Sequence, residues 1–227
     1  MSKKKNSDNY NYDHFKASDY NFKVFNGPKP GEKFIDFTAV TAEGKRVSLS
    51  DYLDKPIVLD TGSITCPMYA NSKSPMNELM DAFPNYHFLL LYVREAHPGK
   101  RTNGIKTSKE KCANALATRK LFNERRELLI DDLDGKGHLL YGGMPNMVYL
   151  IDTDGTVRFR ANWTNPKALE KALKDPKLIV KKDFYEVNKP SPFTAVRTLM
   201  IGGFRALYEF LVNLPKLIKQ HKEVGTM

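Results

Sequence analysis

Cys66, Glu95 and His97 are the side chains of this 227-residue chain whose types and spacing suit chemistry. Cys66 follows a short apolar run, Pro56-Ile57-Val58-Leu59, and a turn, Asp60-Thr61-Gly62-Ser63-Ile64-Thr65, and directly precedes Pro67. A cysteine where a buried strand gives way to a helix has its sulfur near unpaired backbone N–H groups and the positive end of a helix dipole, which favour thiolate over thiol. Proline suits a first helical position, so strand, turn, hydroxyl residues and Pro67 agree on Cys66 as a helix-start nucleophile. The competing role is that of a small buried cysteine that only fills space.

Glu95 and His97 end the next apolar run, in Tyr92-Val93-Arg94-Glu95-Ala96-His97-Pro98. Residues two apart in extended backbone point to the same side. A carboxylate beside an imidazole raises its basicity, and the imidazolium stabilises a thiolate or protonates a leaving group. The structural alternative is a surface Glu-His pair at a strand end. The carboxyl ends of neighbouring parallel strands lie side by side, so Cys66 and His97 are expected to face one crevice. A third segment, Tyr141-Gly142-Gly143-Met144-Pro145-Asn146, leads into Met147–Asp152. Pro145 there is either cis, in a tight turn that presents backbone to a substrate, or trans, at an ordinary hairpin entry.

The elements that position these residues follow from periodicity and punctuation. Strands are expected at 34–39, 46–49 and 57–59, a helix at 71–83, a doubly covered strand at 88–93, a helix at 109–123, and a strand at 127–131. A hairpin pairs 146–152 with 157–161 around Asp154-Gly155, and a helix covers 166–173. The order is that of an α/β sandwich with a central mixed sheet. Residues 1–27 read as a polar, mobile or surface-draped arm whose aromatics can pack on the domain, 28–175 as the domain, and 176–227 as a C-terminal extension. Within that extension, Phe193, Val196, Leu199, Phe204, Leu207, Leu211, Leu214 and Ile218 recur at helical spacing, with a break expected at Pro215. This amphipathic helix suits packing on its own domain, a homodimer, or peripheral contact with an anionic membrane. It is too interrupted by charge to span a membrane.

The net charge is +10, of which residues 1–33 carry +3, residues 177–227 carry +5 and the rest only +2. The excess positive charge thus sits at the ends rather than around the candidate chemistry, which argues against a nucleic-acid enzyme. Two cysteines make no disulfide scaffold, and Met1-Ser2-Lys3-Lys4-Lys5-Asn6 is no secretory signal, so a reducing cytoplasmic setting is expected. His14, His87, His97, His138 and His221 are scattered without ligand spacing and there is no CxxC, so neither a metal nor a bound cofactor is expected. Cys112, on the helix after the His97 loop, either resolves an oxidised Cys66 as a disulfide or never meets it.

The stretches Pro30-Gly31-Glu32, Lys45–Ser50, Lys55–Leu59, Cys66-Pro67 and Ile151–Gly155 resemble the thioredoxin-fold redoxins and peroxiredoxins. More specifically, Gly62–Pro67, Glu95-Ala96-His97-Pro98, Asp131–Asp134, Tyr141-Gly142, Pro145 and Tyr149 resemble the iodothyronine deiodinases, whose selenocysteine falls on Cys66. That resemblance implies a thioredoxin-like fold, Cys66 as nucleophile, His97 as proton donor or thiolate partner, Glu95 orienting His97, and Thr65 with the Pro145 turn shaping the pocket. It also implies a peroxide or halogenated aromatic as substrate and an external thiol reductant such as a thioredoxin or glutathione system. The further histidine that the deiodinases carry between Pro98 and Gly137 is missing here. The peroxiredoxin comparison matches Ser63, three before the cysteine, and requires an arginine near the sulfur, with Arg119, Arg158 and Arg160 available. A redox-inactive thioredoxin-fold binding module is the alternative to an enzyme.

Overall fold

A computed structural model describes residues 10–227. Its seven strands are β1 (Thr38–Thr41), β2 (Arg46–Ser48), β3 (Ile57–Gly62), β4 (His87–Tyr92), β5 (Glu127–Ile130), β6 (Val148–Ile151) and β7 (Val157–Ala161). They form one sheet in the order β2-β1-β5-β4-β3-β6-β7. The central β3, β4 and β5 run parallel, and β1 and β6 flank them antiparallel. The helices are α1 (Pro67–Ala82), α2 (Ser108–Phe122), α3 (Lys136–Leu140), α4 (Pro166–Lys174), α5 (Pro192–Gly202) and α6 (Phe204–Glu223). This is the thioredoxin-like α/β sandwich with a mixed sheet expected from the element order.

The central strands read as unbroken apolar runs because both their faces are covered. Ile57 and Leu59 of β3 join one core cluster while Val58 joins another, and on β4 Leu89 and Leu91 alternate in the same way with Phe88 and Leu90. Helix α1 begins at Pro67 rather than at 71, since Cys66 takes the non-helical cap position and Pro67 the first turn. A Thr107–Glu110 capping box opens α2, and Asn123, at φ 53°, closes it. The five-residue α3 has no periodic signature in the sequence.

Two terminal expectations change. The described part of the arm is core rather than surface drape: Tyr12, Phe15, Tyr20 and Phe22 are buried in the main cluster. The guanidinium of Arg94 anchors it, with the rings of Tyr10, Tyr12 and Tyr20 packed on it at 5.0, 5.0 and 5.1 Å. The C-terminal helix breaks at Gly203, which adopts φ 93°, and not at Pro215, which sits inside α6. Pro215 is tolerated because the turn it disturbs, around Leu211 and Val212, faces solvent, where water can meet the freed carbonyl.

Candidate active site

Strand β3 delivers the cysteine. Gly62 ends the strand with the Tyr69 ring pressed on its Cα, where an added Cβ would come within 2.6 Å of the ring. The chain then turns so that Cys66 N–H bonds the Ser63 carbonyl at 3.1 Å and Cys66 caps α1. The backbone N–H groups of Met68 and Tyr69 act to lower the thiol pKa, as expected of a helix start, although the side chain makes no capping hydrogen bond. They do not prevail. The side chain is only 1% exposed, and burial, helped by the Asp60 and Glu95 carboxylates, pushes the thiol up to about 12. The expected resting thiolate is therefore replaced by a protonated, sealed thiol.

Strand β4 pairs in register with β3 through Gly62 and Tyr92, which brings the two loops at their carboxyl ends together. Ser63 and Thr65 staple these loops: Ala96 N–H donates to Ser63 Oγ at 3.1 Å, and His97 N–H donates to Thr65 Oγ1 at 3.2 Å. The Thr65 hydroxyl in turn donates to Glu95 Oε2 at 2.6 Å, and Tyr92 and Asn114 also donate to this carboxylate. Glu95 thus spends its oxygens on the loop scaffold and does not bond the His97 ring. The expected Glu95–His97 dyad is absent because those residues do not continue the extended strand, which ends at Tyr92.

The His97 ring packs against Phe15 and Phe210, with ring centroids 4.3 and 5.2 Å away. Its Nδ1 is buried without a partner, and burial pushes its pKa down to about 3, so the imidazole is neutral. Cys66, His97 and Pro145 line one cavity of about 280 Å³. Its remaining walls are mostly apolar: Phe15, Tyr20 and Phe22 from the arm, Trp163 after β7, and Phe210, Leu214, Leu217 and Ile218 from α6. Trp163 Nε1 is also buried with no partner. Pro145 is reached through a trans bond; Gly142 and Gly143, at φ 113° and 71°, make the turn, and buried His138 holds it by bonding the Met144 carbonyl at 2.7 Å.

This arrangement joins a strand-to-helix cysteine, a buried imidazole one strand away and a proline loop over the same cavity. The family model for iodothyronine deiodinase matches residues 9–164 of the sequence. The chain belongs to the iodothyronine deiodinase family. No curated protein matches it significantly. Among solved structures it resembles a candidate thiol:disulfide interchange protein DsbE from Chlorobium tepidum, at 19% identity and TM-score 0.52 over 65% of this chain and 97% of that one. It also resembles an uncharacterized conserved protein from Geobacillus kaustophilus, at 13% identity and TM-score 0.56 over 70% and 89% of the two chains. These likenesses are of fold, and the fold is that of thioredoxin. Family membership places the chain, in general terms, among thiol-based oxidoreductases.

In this deiodinase-family protein the other sequence candidates lie away from the cavity. Cys112 is half-buried and opens onto a different cavity beside Asp131 and Asp132, and both cysteines are free thiols. Arg119 pairs with Glu43, Arg158 with Asp152 and Arg160 with Asp183, and none of the three lines the Cys66 cavity. Among the described residues no cluster of three or more His, Cys, Asp or Glu is arranged to hold a metal. Sequence reasoning missed a buried network behind β3, where Arg126 bonds Asp60 at 2.6 Å and Glu124 at 2.7 Å. Its signal was available: Asp60 is a carboxylate continuing the apolar run of a central strand, a position that demands a partner.

Proposed function

We propose that the chain is a thiol-dependent oxidoreductase that removes halogen reductively from a bulky, apolar aromatic molecule bound in the Cys66 cavity. The observation that carries this reading is the cavity itself: a cysteine and an unpartnered imidazole among aromatic walls, with no arginine to polarise a small peroxide. An apolar ring suits those walls, and a polar substituent on it would satisfy His97 Nδ1 or Trp163 Nε1.

The step balances within the site. The Cys66 sulfur donates an electron pair to the halogen as the carbon–halogen bond breaks and leaves its electrons on carbon. The proton lost from sulfur passes through His97 to that carbon, so thiol and aryl halide become a sulfenyl halide and the arene. A first external thiol then displaces halide from sulfur to give a mixed disulfide, and a second releases Cys66 and the oxidised reductant. A thioredoxin or glutathione system in a reducing cytoplasmic setting would supply both. With Cys66 up at about 12 and His97 down at about 3, the proton rests on sulfur before substrate binds and leaves it only as the carbon–halogen bond breaks.

The same raised thiol favours a second reading, a binding module that uses the cavity without chemistry. Incubating reduced protein with an iodinated phenol and a thiol reductant separates the two. Iodide release that disappears in Cys66→Ser supports the enzyme. Saturable phenol binding with no iodide and no oxidation of Cys66, including with hydrogen peroxide, removes it.

A further inference from the structure

Helix α6 has two apolar faces. The inner one walls the cavity through Phe210, Leu214 and Leu217. The outer one is bare: Phe204, Tyr208, Leu211 and Val212 are 76%, 68%, 54% and 60% exposed. Exposed hydrophobic side chains scattered singly are ordinary. These four, with exposed Pro215, fall on one stripe of a 3.6-residue helix and so form a continuous ridge. Towards the C-terminal end of the helix, exposed Lys219 and Lys222 continue that stripe and Lys216 borders it. At the start of α5, Phe193 is a further large aromatic left 76% exposed.

We propose that this ridge is a docking surface for anionic lipid. Helix α6 lies in the plane of the membrane interface, with Phe204, Tyr208, Leu211 and Val212 among the acyl chains and Lys216, Lys219 and Lys222 against the phosphates. Charge selects this occupant. Residues 177–227 carry +5, and the two acids of α6 are already engaged: Glu209 by His14 and the Phe15 N–H, Glu223 by Lys23 at 3.0 Å. A second copy meeting ridge to ridge would offer these lysines no free α6 carboxylate, whereas anionic headgroups do. Among the described residues no helix is long and apolar enough to cross a membrane, so the contact is one of lying on the bilayer. The surface is independent of the chemistry at Cys66, although the helix that docks is the one that closes the cavity.

Flotation of the full-length protein with phosphatidylcholine vesicles, with and without phosphatidylserine, tests the proposal. Binding is expected only to the anionic vesicles and is expected to weaken with salt. Phe204→Ser with Tyr208→Ser should lower partitioning at least about tenfold. Lys216→Gln with Lys222→Gln should lower it roughly thirtyfold, the worth of two lysines near the surface. All four residues are solvent-exposed, so circular dichroism should show the variants folded, and Cys66→Ser should bind like the parent. Equal binding to neutral vesicles, binding that survives both double variants, or a dimer in sedimentation velocity that Phe204→Ser dissociates while vesicles are ignored would each overturn it.

Discussion

The Glu95 carboxylate accepts its 2.6 Å hydrogen bond from the Thr65 hydroxyl and none from the His97 ring. Residues that by spacing look like an acid–base pair are instead coupled through a third side chain, whose oxygen also accepts the His97 backbone N–H. Glu95 is therefore a positioning residue for the loop. Thr65→Val is expected to cost about 2 kcal/mol, because it strips a hydrogen bond from a buried carboxyl group whose pKa burial raises. Urea unfolding measures this, and a loss below a few tenths would refute the staple.

His97 stands neutral with a pKa driven from 6.5 down to about 3 by burial. The unfolded chain binds the proton more readily, so stability is present above the unfolded value and is lost as pH falls from 6.5 towards 3. By pH 5 the loss from this one ring is about 2 kcal/mol. His97→Leu should shrink the drop in unfolding free energy between pH 7 and pH 5 by about that amount, and an identical drop in both proteins would contradict the assignment.

Cys66 offers a contrast with Cys112. Alkylation by iodoacetamide at neutral pH should mark the half-buried Cys112 at least about a hundredfold faster than the sealed Cys66, whose thiol lies up at about 12. In a Cys112→Ser background, Phe210→Ala should raise the Cys66 rate, since it opens the α6 wall. A Cys66 that reacts rapidly in the parent would show the thiol to be ionised and reachable.

The corner between α5 and α6 bears directly on the His97 loop. A Cβ on Gly99 would lie 2.0 Å from the Gly202 carbonyl oxygen, and Arg101 N–H bonds that same oxygen at 3.1 Å. Gly99→Ala must therefore push loop and helix corner apart, at a cost of roughly 1–3 kcal/mol. Thermal unfolding should show the loss, and Cys66 alkylation should quicken with it. Unchanged values in both would mean the contact is looser than described.

The two cysteines open onto different cavities. Treating the native protein with diamide and glutathione should give glutathione adducts and no Cys66–Cys112 bridge, as read by intact mass and peptide mapping without reduction. A quantitative internal disulfide formed without denaturant would overturn this separation and restore Cys112 as a resolving thiol.

What the sequence by itself determined is local and periodic. The apolar runs of β3 and β4 marked strands covered on both faces, Pro67 marked the start of α1, and the parallel pairing of those strands brought Cys66 and His97 to one cavity. Tertiary structure alone decided what those residues are. Thr65 takes the carboxylate that spacing assigns to His97, and residues as distant as Phe15 and Phe210 pack on the His97 ring, whose burial keeps it neutral. The reason is that periodicity tells which face of an element seeks burial but not against what, while a pKa depends on every group that replaces water. Arm and C-terminal helix each announced an apolar face; only folding showed that both line the cavity into which the same cysteine faces.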